Sequence, residues 1–525
     1  MKNKLLIMFL LSLGVSTNEV KAQKATIKWS EEFIEEKGEK LGEVLYDDGT
    51  HIYVRVTSIT KGDRGKGKAV TPGIMKLDKD MKPVGRENYT TDMDDIDLQG
   101  LFYMGGGFVM LTSKYEKSNN STEVFAISID KNTLKPKGKP VSLWKLSAPP
   151  KKYFSWNASL SDDSSSMLLF ATYNQKDDEK ERFAYKVVGK DLGTIQEKLV
   201  ELKYANEDFS ILSYKVSKSG DLYVLSKGYK DGAKRQVERG ADKKKVATYD
   251  VVILKYGKDA SEKEYRIPMG EKVMDAYAMG NDPATDDLFI VGTFQAATED
   301  GVIGYFFNRI NSKTGDVTAS KINQFPLSFI DKVNRLNDDK SKGKSPGISK
   351  YFNITDLIVT PDDRLYALIE KRYSVTTTSK YGSYTTYYSN SIIAIQMDKN
   401  GNQTWMNHIP KSQFFNSLTS YIYYSTMVTK DKLYIFYNDI EKNLAYNINS
   451  ADEEPKRFNS MDDMYLMMVE VDSQGKMSRK QFVSTEKSGH PFYIGGSKQT
   501  APNHFIIYCY RFKKEINRLG LAVFE

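Results

Sequence analysis

Eight short apolar runs recur along this chain about every 55 to 75 residues, and that recurrence limits its fold more than any other feature. They are HIYVRV at 51, FVMLTS at 108, MLLFATY at 167, LYVLSK at 222, LFIVGTF at 288, LYALIE at 365, LYIFYN at 433 and FIIYCY at 505. Each is rich in β-branched and aromatic residues and bounded by Asp, Gly, Asn or Ser, the composition of strands buried on both faces. A second apolar run follows each: GIMKLD, VFAISID, FAYKVVG, YDVVILKY, GYFFNRI, SIIAIQM, YLMMVEV and GLAVFE. After seven of these comes a turn rich in Asp, Asn, Lys and Gly, residues that tolerate the left-handed backbone of a tight hairpin. A more polar run then leaves the turn. A further short run precedes each of the first set, joined to it by tight turns such as KSGD at 218, TPDD at 360 and TKDK at 429.

Four antiparallel strands per repeat, here called A to D, resemble the blades of the β-propeller superfold. The resemblance implies an all-β, eight-bladed β-propeller; seven blades is the count if the first or last repeat is misread. The last repeat ends at Glu525 directly after its strand C, with no strand D. The stretch 25–33, ATIKWSEEF, resembles a D strand and has no partner of its own. It is expected to complete the last blade and close the ring, removing two exposed sheet edges. Residues 23–525 then form one domain.

The first 22 residues read as a secretory signal peptide. Lys2 and Lys4 precede the apolar core LLIMFLLSLGV, and Val20-Lys21-Ala22 forms a small-residue cleavage site. No later segment reaches 18 uninterrupted apolar residues, so no transmembrane segment is expected. The chain should be exported, to the periplasm or beyond the cell. Its Lys-, Tyr- and Asn-rich composition and Ala-Gln junction resemble exported proteins of Gram-negative Bacteroidetes. The single Cys509, in FIIYCY, is expected as a small buried hydrophobe. The net charge is +8, of which the leader contributes +2. The remainder is too dilute for nucleic acid, which is not an expected partner.

In propellers the B–C and D–A connections emerge on one face, and the A–B and C–D turns on the other. The long inserts here concentrate in B–C. Blade 1 carries TKGDRGKGKAV, blade 4 AKRQVERGADKKK, blade 6 YSVTTTSKYGSYTTYYS, and blade 7 DIEKNLAYNINSADEEPKRFNSMDD. The longest D–A connection, 326–350, exits on the same face. That face is therefore the expected binding surface. Its sharpest feature is Tyr381, Tyr384, Tyr387 and Tyr388 among Ser, Thr and Gly, a composition used by binding loops. The alternative is an extended hairpin whose alternate Tyr residues pack on a neighbour. The blade 4 insert, with Lys243, Lys244 and Lys245, reads as a solvated mobile loop. The segment 338–344 reads as disordered.

Motifs of known chemistry are scarce. His51, His408, His490 and His504 lack zinc-site spacing, and no GxSxG, P-loop or HExxH occurs. Asp92, Asp94, Asp95 and Asp97 lack the glycine-punctuated calcium loop. No metal, cofactor or catalytic residue is assigned. DKNGNQTW at 398 resembles the Asp-box of sialidase-like propellers in Thr404-Trp405. Gly105-Gly106 and Gly495-Gly496 resemble kelch repeats in two blades only. The expected function is a binding or scaffolding module for a protein or glycan partner, its oligomeric state open. The alternatives are a carbohydrate-active enzyme with carboxylates at the channel mouth, or a structural subunit of an envelope complex.

Overall fold

A computed structural model describes residues 25–525 apart from 36–38, 61–68, 90–95, 149–151, 177, 231–236, 240–244, 298–300, 337–346, 381, 417–418, 451–452 and 462–463. The expected leader, Tyr381, Lys243, Lys244, Asp92, Asp94, Asp95 and the segment 338–344 lie outside the described residues. Within them the chain is an eight-bladed β-propeller of four-stranded antiparallel sheets, each in the order A-B-C-D. The apolar runs are strands B and C of each blade. In blade 6, for example, strand A is Phe352–Val359, B is Arg364–Ser379, C is Gly382–Asp398 and D is Gln403–Asn416.

Eight apolar clusters fill the eight gaps between neighbouring blades. Alternate residues of each strand go to alternate clusters, as the two-residue period of a strand requires. Leu365, Ala367 and Ile369 pack toward blade 5, while Tyr366 and Leu368 pack toward blade 7. Cys509 is fully buried in the cluster between blades 7 and 8, and burial pushes its thiol pKa up.

The ring closes as the sequence predicts. Ala25–Trp29 pairs antiparallel with Ile516–Phe524, from Ala25 opposite Phe524 to Trp29 opposite Gly520. Only glycine fits at 520, because a Cβ there would lie 2.7 Å from the Trp29 ring. Arg518 stacks 5.3 Å from the same ring. Ser30 donates its N–H to Leu519 O at 2.8 Å, and Leu519 N–H donates to Ser30 Oγ at 3.0 Å.

The C–D turns differ from expectation in one respect. Their Asp does not take the left-handed position; it holds the turn from outside. Asp78, Asp130, Asp398 and Asp472 each accept two backbone N–H bonds on Oδ1. The left-handed residue is Met81, Leu134, Leu192 or Ala260 in blades 1 to 4, and Gly315, Gly401 or Gly475 in blades 5 to 7. Met81 and Leu134 are buried in inter-blade clusters, and that packing offsets a backbone strain of about 1–2 kcal/mol.

Two connections contain secondary structure not expected from the sequence. Leu327–Arg335 of the blade 5–6 connection is an α-helix, because Ile330 and Val333, one helical turn apart, reach the inter-blade core. In the blade 4 insert Val237–Arg239 pairs with Lys245–Ala247 as a small hairpin. Among the described residues no helix is long and apolar enough to cross a membrane.

Removing residues 1–34 strips the last blade of its outer strand and exposes its neighbour's edge. Loss of the Trp29 and Ile27 contacts should lower the melting temperature by about 10 °C in a thermal scan. An unchanged midpoint would show that closure contributes little to stability.

Candidate binding site on the B–C face

Among the described residues, cavities of about 250–360 Å³ open at the B–C ends of several blades. The one between blades 6 and 7, of about 360 Å³, is lined by the sequence-predicted Tyr388 and by buried Lys411. The Tyr-rich insert forms its first wall. It is not a loop: strands B and C of blade 6 continue through it, paired from Lys371 opposite Asn390 to Ser379 opposite Gly382. Thr, Val and Tyr favour this extended form. A bulge beside Glu370 admits Ser391 as an extra residue on strand C.

The three described tyrosines separate accordingly. Tyr388 lies opposite Tyr373, their rings 4.5 Å apart and within 3° of parallel. Tyr351 continues the stack at 5.2 Å from Tyr373, and Phe414 lies 5.8 Å from Tyr388. This aromatic row runs from the residue before strand A across strands B, C and D and lines the cavity through Tyr373 and Tyr388. Tyr384 is 53% exposed on the same strand. Tyr387 instead packs against the apolar cluster of blades 7 and 8, beside Phe415.

The second wall is the blade 7 insert. Its Phe458 runs parallel to strand D of blade 6, donating N–H to Ser412 O at 2.8 Å and accepting from Phe414 N–H at 3.1 Å. Asn443 fixes Lys456, two residues earlier. Its Nδ2 donates to Lys456 O at 2.6 Å, and its Oδ1 accepts Lys456 N–H at 2.7 Å. Arg479, ion-paired with Asp439, donates to Asn443 O at 2.7 Å. Glu454, Lys456 and Arg457 thereby rim the cavity, with Arg457 stacked 5.6 Å from Phe414.

A buried ionic network lies beneath. Lys411 Nζ donates to Glu370 Oε1 and Ser389 Oγ at 2.6 Å each, and to Gln413 Oε1 at 2.8 Å. Ser389 Oγ donates to Glu370 Oε1 at 2.7 Å, and Arg372 pairs with Glu370 Oε2. Gln413 Nε2 reaches Asn438 O of blade 7 at 2.6 Å. Burial pulls the Lys411 pKa down to about 8, against the pull of Glu370. Such a network gives little net stability but fixes geometry while every member is satisfied.

Toward the channel, the innermost strands carry two carboxylates at equivalent bulges. Asp275 sits in the bulge between Met274 and Tyr277 of blade 5, and Asp356 at that between Ile354 and Asp356 of blade 6. Burial raises both pKa values, that of Asp275 to about 6. Asp275 Oδ2 is buried without a hydrogen-bond partner among the described residues. Asp356 interacts with Tyr424 and Arg372. None of Glu370, Lys411, Asp275 and Asp356 stands out by local sequence spacing. Their only signal was a charged residue within or at the end of an otherwise apolar strand.

The histidines are dispersed. His490 Nε2 lies 2.8 Å from Glu32, and His504 Nδ1 lies 2.8 Å from Asp47. His408 is fully buried, and burial takes its pKa down to about 3, so it is neutral.

Glu370→Gln removes the carboxylate that Lys411 and Arg372 share and should cost about 3–5 kcal/mol in urea unfolding. Adding Lys411→Met should recover part of that loss; no recovery would mean that the pair is not a coupled unit. At Asp275 the folded-state pKa lies above the ordinary 3.8, so the folded form holds the proton more tightly. Its contribution is fully present below about pH 4 and lost as pH rises through about 6. Asp275→Asn should therefore raise the melting temperature at pH 7 and leave it unchanged below pH 4. The reverse order would show that the carboxylate is stabilised when charged.

No family model matches the chain, and no curated protein matches it. Solved structures similar to it include the β-propeller domain of the Trilobed protease from Pyrococcus furiosus, 9% identical over 85% of this chain and 96% of that one, with a TM-score of 0.36. Another is an acylaminoacyl peptidase bound to a chloromethyl ketone, 9% identical over 90% of this chain and 58% of that one, with a TM-score of 0.36. A third is the α-L-arabinofuranosidase Arb93A from Fusarium graminearum, 11% identical over 63% of this chain and 92% of that one, with a TM-score of 0.28. At these values no activity passes from them to this chain.

Proposed function

We propose that this protein is an exported binding module whose protein or glycan partner docks on the B–C face, over the cavity between blades 6 and 7. One observation carries the reading. Two inserts from different blades are pinned in register so that Tyr373 and Tyr388 face Glu454, Lys456 and Arg457 across a cavity of about 360 Å³. Tyr and Arg are the side chains that dominate binding energy at protein interfaces, and holding them rigid before contact reduces the ordering cost. The opposite face consists of short turns tied to one another.

A second reading, a carbohydrate-active enzyme, is favoured by Asp275, a channel-mouth carboxylate with raised pKa and an unpartnered oxygen. A carboxyl group that holds its proton near neutral pH suits general acid catalysis.

Tyr384→Ser/Tyr388→Ser spares Tyr387, whose loss would disturb the core. Wild type and this variant should be compared as cross-linking baits against cell envelope and on a glycan array. The variant should bind its partner about 30-fold more weakly, the loss of about 2 kcal/mol of contact. Equal binding by both would move the site elsewhere. Binding by neither, with glycosidase activity lost in Asp275→Asn, would establish the enzyme.

A further inference from the structure

Strands B and C of blade 6 run 16 and 17 residues, while strand B has 8–10 residues in every other blade. Strand A does not accompany them. Its last pairing is Phe352 opposite Lys371, after which Arg372 N–H donates to Tyr351 O at 2.9 Å. From Ser374 to Thr378, strand B has a second free edge among the described residues. Because strand A is the innermost of the blade, that edge faces the propeller axis at the mouth of the channel.

The bond from Arg372 to Tyr351 sets which backbone groups point that way. Outward and inward groups alternate along an antiparallel strand. With Arg372 outward and the register unbroken to Ser379, the N–H and C=O of Ser374, Thr376 and Thr378 also point toward the axis. Val375 and Thr377 point inward, to Thr386 and Tyr384. Close side-chain pairs fall where this alternation puts them, with Thr376 Oγ1 2.9 Å from Thr385 Oγ1 and Thr378 Oγ1 3.0 Å from Ser383 Oγ.

Free strand edges are normally guarded by charge, proline or a bulge. The outer strands of this protein carry such guards, as in TIQEKLVELKYA of blade 3 and EKEYRIP of blade 4. The edge SVTTTS has neither charge nor proline, and no bulge interrupts it. We infer that Ser374–Thr378 is a strand-addition site for an extended, uncharged segment of a partner polypeptide. This rests on the reading of the B–C face as the binding surface and names the class of partner. Only an extended polypeptide presents donors and acceptors in the repeat that these groups require. The added strand would continue the line of strand A across the channel mouth.

A random dodecapeptide display library panned against the full chain supplies the probe, and enriched peptides are then titrated against variants. Thr376→Pro removes one outward N–H and should weaken binding about 10-fold or more, whereas Thr376→Ala keeps the N–H and should bind within about twofold of wild type. Ser374→Pro serves in its place if melting shows that Thr376→Pro misfolds. Amide exchange at Ser374, Thr376 and Thr378 should slow in the complex. Failure to enrich peptides, equal binding by the proline variants, or protection at other amides would overturn the proposal. A partner released by Tyr384→Ser/Tyr388→Ser but held equally by Thr376→Pro would leave the binding face standing and remove strand addition alone.

Discussion

Apolar contact between neighbouring blades is the interaction on which the rest of this structure depends. Each blade is a sheet with two apolar faces, and a sheet of that kind is stable only when both are covered. An open row of such sheets would leave an apolar face bare at each end, so the row must return on itself. That requirement explains the unbroken apolar runs of strands B and C, where a half-exposed sheet would alternate with polar residues. It also explains why Ala25–Trp29, remote in sequence, is held to Ile516–Phe524 by a glycine, a cation over an indole and a serine clasp. Closure makes the first and last residues of the ring part of one sheet.

The same requirement relaxes where a blade ends. Beyond the apolar belt, residues between blades need only be satisfied, not apolar, and blades 6 and 7 use this freedom most. At Glu370 the strand passes from apolar core to an ionic network within one residue, with the bulge marking the change. A lone buried Lys or Glu would cost several kcal/mol, whereas the pair with its serine and glutamine partners approaches neutrality. The network therefore acts as a register lock. It joins strands B, C and D of blade 6 to blade 7 and holds the aromatic row and the opposing insert in fixed relation.

Much of this architecture was legible in the sequence because it depends on local rules. Two-residue periodicity, turn residues and the missing last strand D are each visible within a few residues. Blade order and closure follow from them. The site was legible only in part. Tyr388 was marked by composition, but Tyr373 and Phe414 became its partners through register, which sequence spacing does not display. Tyr387 and Tyr388 are adjacent in sequence and belong to opposite faces, one to the core and one to the cavity. Glu370 and Lys411 meet across three strands, and Asp275 is set in a bulge that no residue announces. The helix Leu327–Arg335 was hidden because two buried side chains suffice to dock it.

The two faces of the ring differ in how their charged groups are engaged, and this bears on where a partner can act. On the turn face, charges tie one blade to the next. Lys399 bridges Asp282 and Asp363, Asp286 accepts N–H bonds from Lys218 and Ser219, and Asp47 receives Thr500 and His504. Lys131 pairs with Asp48, and Lys215 with Asp162. A ligand there would have to displace bonds that hold the ring together, and it would meet short turns with little surface to reshape. At the cavity between blades 6 and 7 the ion pair of Glu370 and Lys411 lies below the surface. Glu454, Lys456 and Arg457 rim that cavity on a segment held by backbone bonds at Lys456 and Phe458. Recognition there can change by substitution at the rim without unpicking the ring, which is the condition under which a rigid scaffold acquires a binding surface.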